Sequence, residues 1–249
     1  MNSSVSDILL LDTVDSTNRY LADMLKNGLL PNGYCVCSEF QESGRGQVGN
    51  VWESQKAQNL LISILLHSEK IPLDKQFLLS KVVSIAICQF LEKNSISAKI
   101  KYPNDIFYGD KKIAGILIEN QITGNKMKYS IVGIGLNVNQ LEFEANNSRT
   151  ATSMRQITGI IYDRQLLLSN LRSLIVDLVE DFDVEHKDFY KKLYFANLYR
   201  RDGFYKYETA DGETFEAKIV DIADDGMLQL ITDNGIEYSF YFKQVRFVI

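Results

Sequence analysis

Three two-residue turn signals crowd the C-terminal part of the chain: Asp211-Gly212, Asp225-Gly226 and Asn234-Gly235. Such pairs supply the positive φ that tight hairpins need, so each one turns the chain back on itself. Between and after them lie apolar-rich stretches at 215–222, 227–231 and 236–242. Short strands at this spacing leave no room for crossover helices and predict a small antiparallel barrel. Before Tyr199 the patterns are longer and more apolar. The sequence therefore predicts a larger α/β domain over 1–199 and a barrel over 200–249.

The 249 residues are enough for that arrangement, and 45% hydrophobic with 24% charged residues is ordinary globular composition. A net charge of -5 argues against a chain bound mainly to nucleic acid. The N-terminus has no basic start, and its apolar run at 8–11 is too short for a signal-peptide core. No stretch approaches a membrane span, so the expectation is a cytoplasmic protein with neither nucleic-acid nor membrane partner. Cys35, Cys37 and Cys88 are an odd number for a disulfide framework and read as reduced structural thiols. His67 and His186 have no zinc-ligand spacing.

A helix is expected to start near Asp15-Ser16, to align Tyr20, Leu21, Met24 and Leu25, and to stop at Gly28. Residues 34–40, 59–66, 98–102, 106–108, 113–119 and 129–136 read as strands, with a turn at Gly109-Asp110. Residues 77–91 read as a buried helix, and 142–153 as a loop. Leu166, Leu167, Leu171, Leu174, Ile175, Leu178 and Phe182 form a helical stripe that reads as core.

Gly44-Arg45-Gly46-Gln47-Val48-Gly49 fits G-x-G-x-x-G, but a dinucleotide site needs a helix opening directly on the glycines. Residues 50–59 show no such periodicity. A protein-kinase loop is also strand–loop–strand, yet the chain has no V-A-I-K, H-R-D or D-F-G. A plain surface loop remains open, although Arg45 within the run and Trp52 just beyond it suit a cover that closes on a phosphate. Lys101-Tyr102-Pro103-Asn104-Asp105 and the following Lys112 read either as a solvated hairpin or as an acid and an amine converging on one substrate. Gly133-Ile134-Gly135-Leu136-Asn137-Val138-Asn139 reads as a strand ending in an amide, or simply in a glycine-softened turn.

Taken in order, Asp15-Ser16-Thr17-Asn18, residues 39–52, residues 101–119 and residues 133–139 resemble the bacterial biotin protein ligase family. Ala151-Thr152-Ser153 and the terminal barrel resemble it too. The resemblance implies a central mixed sheet similar to the class II aminoacyl-tRNA synthetase core, followed by an SH3-like barrel. It implies biotin as substrate, ATP and Mg²⁺, and as protein partner the biotin carboxyl carrier domain of a carboxylase. Catalysis would fall to Arg45, Asp105 and Lys112. Biotin would be held by Ser16, Thr17, Asn18, Gln41, Gly44, Arg45, Lys112 and Gly115. The nucleotide would meet Gly46, Gln47, Gly49, Trp52, Asn104, Lys112 and Asn137, the last near the metal and phosphates without a direct metal ligand being assigned. Pairing into a homodimer through edge strands is open, with no interface legible.

The chain departs from the common pattern where Gln47 and Asn50 stand in place of arginines and Tyr102 in place of tryptophan. Because the motif with Ser16 begins close to Met1, no DNA-binding domain is expected before it. The rivals are a lipoate or octanoate ligase, whose pocket loop would carry an Arg-Arg pair and a triple glycine that this loop lacks, and a non-catalytic biotin-binding regulator.

Overall fold

The computed structural model describes residues 7–47, 50–144 and 150–248. Its larger part is a mixed sheet of β1 (Ile8–Val14), β2 (Cys35–Gln41), β3 (Leu60–His67), β4 (Lys99–Lys101), β5 (Asp105–Tyr108), β6 (Lys111–Thr123) and β7 (Lys126–Leu136). The spatial order is β1-β2-β3-β7-β6-β5-β4, with β1 and β2 parallel and the other pairings antiparallel. From Leu60 to Leu66 β3 is unbroken in burial, as a strand covered on both faces must be.

One face carries α2 (Phe77–Lys93) and α4 (Arg164–Glu180), with α5 (Lys187–Ala196) against α2. The other face carries α1 (Thr17–Asn27), whose fully buried Leu21 packs with Val36, Leu65 and Ile131. Burying that one side chain stabilises the layer by roughly 2 kcal/mol. A short α3 (Met154–Thr158), capped by Ser153, leads towards α4. Cys35 and Cys37 share the α2 face while Val36 points the other way, as a period of two dictates. All three cysteines are free and buried.

Several expectations need correction. The edge strand β1 was hidden because the run at 8–11 looked only like a failed signal peptide. The α4 stripe is rotated: Leu168 and Val179 are buried, whereas Leu166 is exposed. Gly28 does end α1 as expected, in extended backbone. Helix α5 escaped notice because only Tyr190 and Tyr194 of its ten residues are buried. Of the loop at 142–153, residues 145–149 lie outside the described residues; the rest is irregular, apart from a bridge from Ala151 to Lys112.

The C-terminal part is a five-stranded antiparallel sheet of β8 (Tyr205–Thr209), β9 (Thr214–Ile222), β10 (Leu228–Ile231), β11 (Glu237–Phe240) and β12 (Val245–Phe247), ordered β11-β10-β9-β8-β12. Gly212, Gly226 and Gly235 all take positive φ at the predicted turns. The rings of Phe215 on β9 and Tyr238 on β11 lie 4.8 Å apart, so aromatic residues from strands that are not neighbours pack together. It is bolted to the larger part at α2, where the fully buried Lys81 donates to the Ile222 carbonyl at 2.9 Å and pairs with Asp224 at 3.2 Å. The Tyr102 hydroxyl adds a 2.7 Å bond to the Gly226 carbonyl.

Candidate active site

A cavity of about 940 Å³ lies where the start of α1, the end of β2, the glycine loop, the β4–β5 connection, β6 and β7 meet the edge of the C-terminal sheet. Its polar end is built at the α1 N-terminus. Ser16 stands at the N-cap, yet its hydroxyl does not cap the helix; it lies 3.5 Å from Arg45 Nε. The Thr17 N–H and hydroxyl both donate to Gln41 Oε1, at 2.8 and 3.0 Å. Behind them Ser63 Oγ lies 2.7 Å from Thr17 Oγ1 and 2.5 Å from Asn18 Oδ1. Buried hydroxyls and amides tied into one network hold their rotamers, so this end is preorganised. A Cβ at Gly133 would come within 2.3 Å of Asn18 Oδ1; glycine there lets the amide settle onto β7.

The glycine loop folds back on itself. Arg45 bridges Val51, the Gly46 N–H donates to Asn50 O at 2.9 Å, and the Asn50 N–H donates to Gln47 O at 2.8 Å. These donors are used within the loop. The Arg45 guanidinium faces Glu119 through two bonds, at 3.1 and 2.9 Å, and Asn18 Nδ2 donates to the same carboxylate at 2.7 Å.

At the opposite wall Lys112 Nζ lies 2.6 Å from Asp105 Oδ1 and 5.3 Å from the centre of the Trp52 ring. The facing β5 and β6 bring these two charges together across the Gly109-Asp110 turn. Asn104 braces the same hairpin, donating from Nδ2 to Ile116 O at 2.6 Å and accepting from the Ile116 N–H at 2.9 Å. Trp52 lies flat over Gly135, where a Cβ would sit 2.2 Å from the indole, and reaches Gly115, where a Cβ would sit 3.0 Å from it. Its Nε1 is buried without a hydrogen-bond partner.

Twelve expected site residues thus line one cavity: Ser16, Thr17, Asn18, Gln41, Arg45, Gly46, Gln47, Trp52, Asn104, Asp105, Lys112 and Gly115. Gly44 stands just behind, packed against the Trp52 carbonyl. Gly49 lies outside the described residues. Asn137 is not among the lining residues: its Nδ2 donates to Thr152 O at 2.9 Å, and its buried Oδ1 has no partner. Among the described residues no group of three His, Cys, Asp or Glu side chains could hold a metal.

Sequence reasoning gave no site role to Ser63, to Lys101 and Glu119 within the 101–119 motif, or to the C-terminal edge through Thr209, Arg246 and Phe247. A lone hydroxyl inside the apolar run 60–66 and an acid ending the apolar run 113–118 were readable signals. Nothing local in the sequence points to the C-terminal edge.

The family model "Biotin/lipoate A/B protein ligase family" matches residues 10–137, and "Biotin protein ligase C terminal domain" matches residues 207–246. The chain belongs to the biotin/lipoate A/B protein ligase family. The bifunctional ligase/repressor BirA of Bacillus subtilis is 32% identical over 229 residues, covering 91% of this chain and 70% of that relative. The human biotin–protein ligase is 28% identical over 244 residues, covering 92% of this chain and 32% of the human protein. The biotin protein ligase of Aquifex aeolicus, solved with biotin and ATP, superposes with a TM-score of 0.79 at 26% identity, covering 98% of this chain and all of that one. On these grounds the chain is a biotin ligase enzyme. Among the described residues no helix is long and apolar enough to cross a membrane.

Proposed function

We propose that this ligase condenses biotin with ATP to biotinyl-5'-AMP and pyrophosphate, then passes the biotinyl group to a lysine of a biotin carboxyl carrier domain of a carboxylase. In this reading residues 1–199 carry the chemistry, 200–249 close the cavity, and the enzyme works in the cytoplasm. The observation that carries it is the convergence in one cavity of a hydrogen-bonding end, at Ser16, Thr17 and Gln41, with a charged wall, at Lys112 and Asp105. A hydrogen-bonding end and a charged wall suit a ligand with a polar head and a distal acid. Likeness to the Aquifex aeolicus enzyme, which was solved with biotin and ATP, supports the same pair of ligands here.

Two anions must meet before the first bond forms. A biotin carboxylate oxygen attacks the α-phosphorus and pyrophosphate leaves, while Lys112 offsets the charge that builds on the phosphoryl oxygens. The mixed anhydride is water-sensitive, and Trp52 over Gly135 would shield it. In the second step the amine of the carrier lysine attacks the acyl carbon and AMP leaves. That amine begins near a pKa of about 10.4 and must lose a proton. In this reading Asp105, paired with Lys112, orients or deprotonates it. Magnesium would arrive on the phosphates rather than on a protein cage, and would there neutralise phosphate charge.

Biotin-dependent exchange of labelled pyrophosphate into ATP tests the first step, and labelling of a carrier domain tests the second. Exchange driven by lipoate in place of biotin, or no exchange at all, would refute the reading. Asp105→Asn should slow transfer from preformed adenylate; a loss confined to adenylation would remove its assigned role.

A further inference from the structure

Three cations that line the cavity are already neutralised: Arg45 by Glu119, Lys112 by Asp105 and Arg246 by Glu208. The loop N–H groups of Gly46 and Asn50 are bonded internally. Lys101, at the end of β4, is different. It lines the cavity half-buried, and among the described residues no carboxylate or carbonyl accepts a bond from its Nζ. The ammonium lies instead between two rings, 4.8 Å from the centre of Phe107 and 5.7 Å from that of Phe247.

Ring faces attract a cation without saturating its three N–H donors. A partly desolvated ammonium in that position is costly unless an anion completes it. Burial also holds the Lys101 amine below its ordinary value; Asp105 opposes this, while Lys112 and Arg200 reinforce it. The ligand chemistry that answers these conditions is a compact group with several charged oxygens.

We infer that Lys101 binds the polyphosphate of the nucleotide, the part that departs as pyrophosphate, and that Phe247 of the C-terminal sheet is the positioning residue that keeps its ammonium aimed into the cavity. This rests on the reading that the cavity takes ATP. It makes the C-terminal sheet a functional part of the nucleotide site, since one of the two rings holding the amine belongs to β12.

Calorimetric titration of the full-length chain with ATP, with inorganic pyrophosphate and with biotin decides the matter. Lys101→Met should weaken ATP and pyrophosphate about tenfold or more, the worth of one charge-assisted hydrogen bond, and leave biotin binding unchanged. Lys101→Arg should keep most of the affinity, and Phe247→Leu should weaken the same two ligands while sparing biotin. Wild-type affinity for both phosphate ligands in Lys101→Met would overturn the inference. Equal losses for biotin, unrescued by Lys101→Arg, would also overturn it, by making Lys101 a structural bolt between two rings. If the wild type binds pyrophosphate in a Lys101-dependent manner but shows no biotin-dependent exchange, the assigned reaction falls and the anion site stands.

Discussion

Arg45 and Glu119 meet end-on, Nη1 3.1 Å from Oε1 and Nη2 2.9 Å from Oε2, and Asn18 shares that Oε2. One carboxylate on β6 therefore ties the glycine loop to the start of α1. The pair is 35% and 41% exposed, so its direct worth to folding is about 0–1 kcal/mol. Glu119→Gln should accordingly leave the unfolding free energy nearly unchanged. Its expected effect is on substrate: the KM for biotin should rise about tenfold as Arg45 and Asn18 lose a common charged acceptor. An unchanged KM, or a large loss of stability, would contradict this.

Two glycines on β7 separate the halves of the site. A methyl group at Gly133 meets Asn18 Oδ1, whereas one at Gly135 meets the indole of Trp52. Gly133→Ala should raise the KM for biotin more than that for ATP, and Gly135→Ala should do the reverse. Steady-state kinetics with each substrate varied in turn gives the answer; parallel changes in both variants would be inconsistent with the assignment.

The loop of this ligase carries the uncharged Gln47 and Asn50, where the resemblance implies arginines. With Arg45 held by Glu119, the loop has little free positive charge to retain an acyl phosphate. Gln47→Arg should slow release of biotinyl-AMP from the enzyme, measured by chasing preformed intermediate with excess biotin. Release at the wild-type rate would mean that Gln47 does not govern retention.

Alkaline pH should destabilise the fold through buried weak acids. Burial pushes Cys37 up to about 11 and Cys88, Tyr102 and Tyr199 up to about 12. Unfolded cysteines release their protons near 9.0 and tyrosines near 10.0, so above those values the unfolded chain binds fewer protons than the folded one. Stability is then full below about pH 9 and falls as pH rises towards about 12. The urea midpoint should drop across that window, and the thiols should stay unreactive to a chromogenic disulfide reagent at about pH 8 until urea is added. A midpoint flat to about pH 11 would be the contrary result.

Much of this architecture was readable because it is local. The Asp-Gly and Asn-Gly turns, the apolar run that became β3 and the ordered motifs around Arg45, Asp105 and Lys112 each carry their signal within a few residues. What escaped was set by distant partners. Strand β1 is half-exposed and gains its identity from pairing with β2; α5 is held by two tyrosines; β8 and β12 depend on each other. Within the site, the tie from Arg45 to Glu119 joins positions 74 residues apart, and no spacing rule joins Lys101 to Phe247. Sequence singled out Arg45 and Lys112. Only the fold showed that Glu119 and Asp105 hold them, and that Lys101 lies instead against two rings.

Lys81 gives the junction a thermodynamic meaning. Its ammonium has no exposed surface in α2, and it finds its acceptors on Ile222 and Asp224. Detaching the C-terminal strands would break both of these bonds and bare to water the apolar side chains around them. The two parts should therefore melt as one calorimetric transition, and a nick in the connecting segment should leave the fragments associated. Neither half would have much independent existence on which separate regulation or exchange of modules could act.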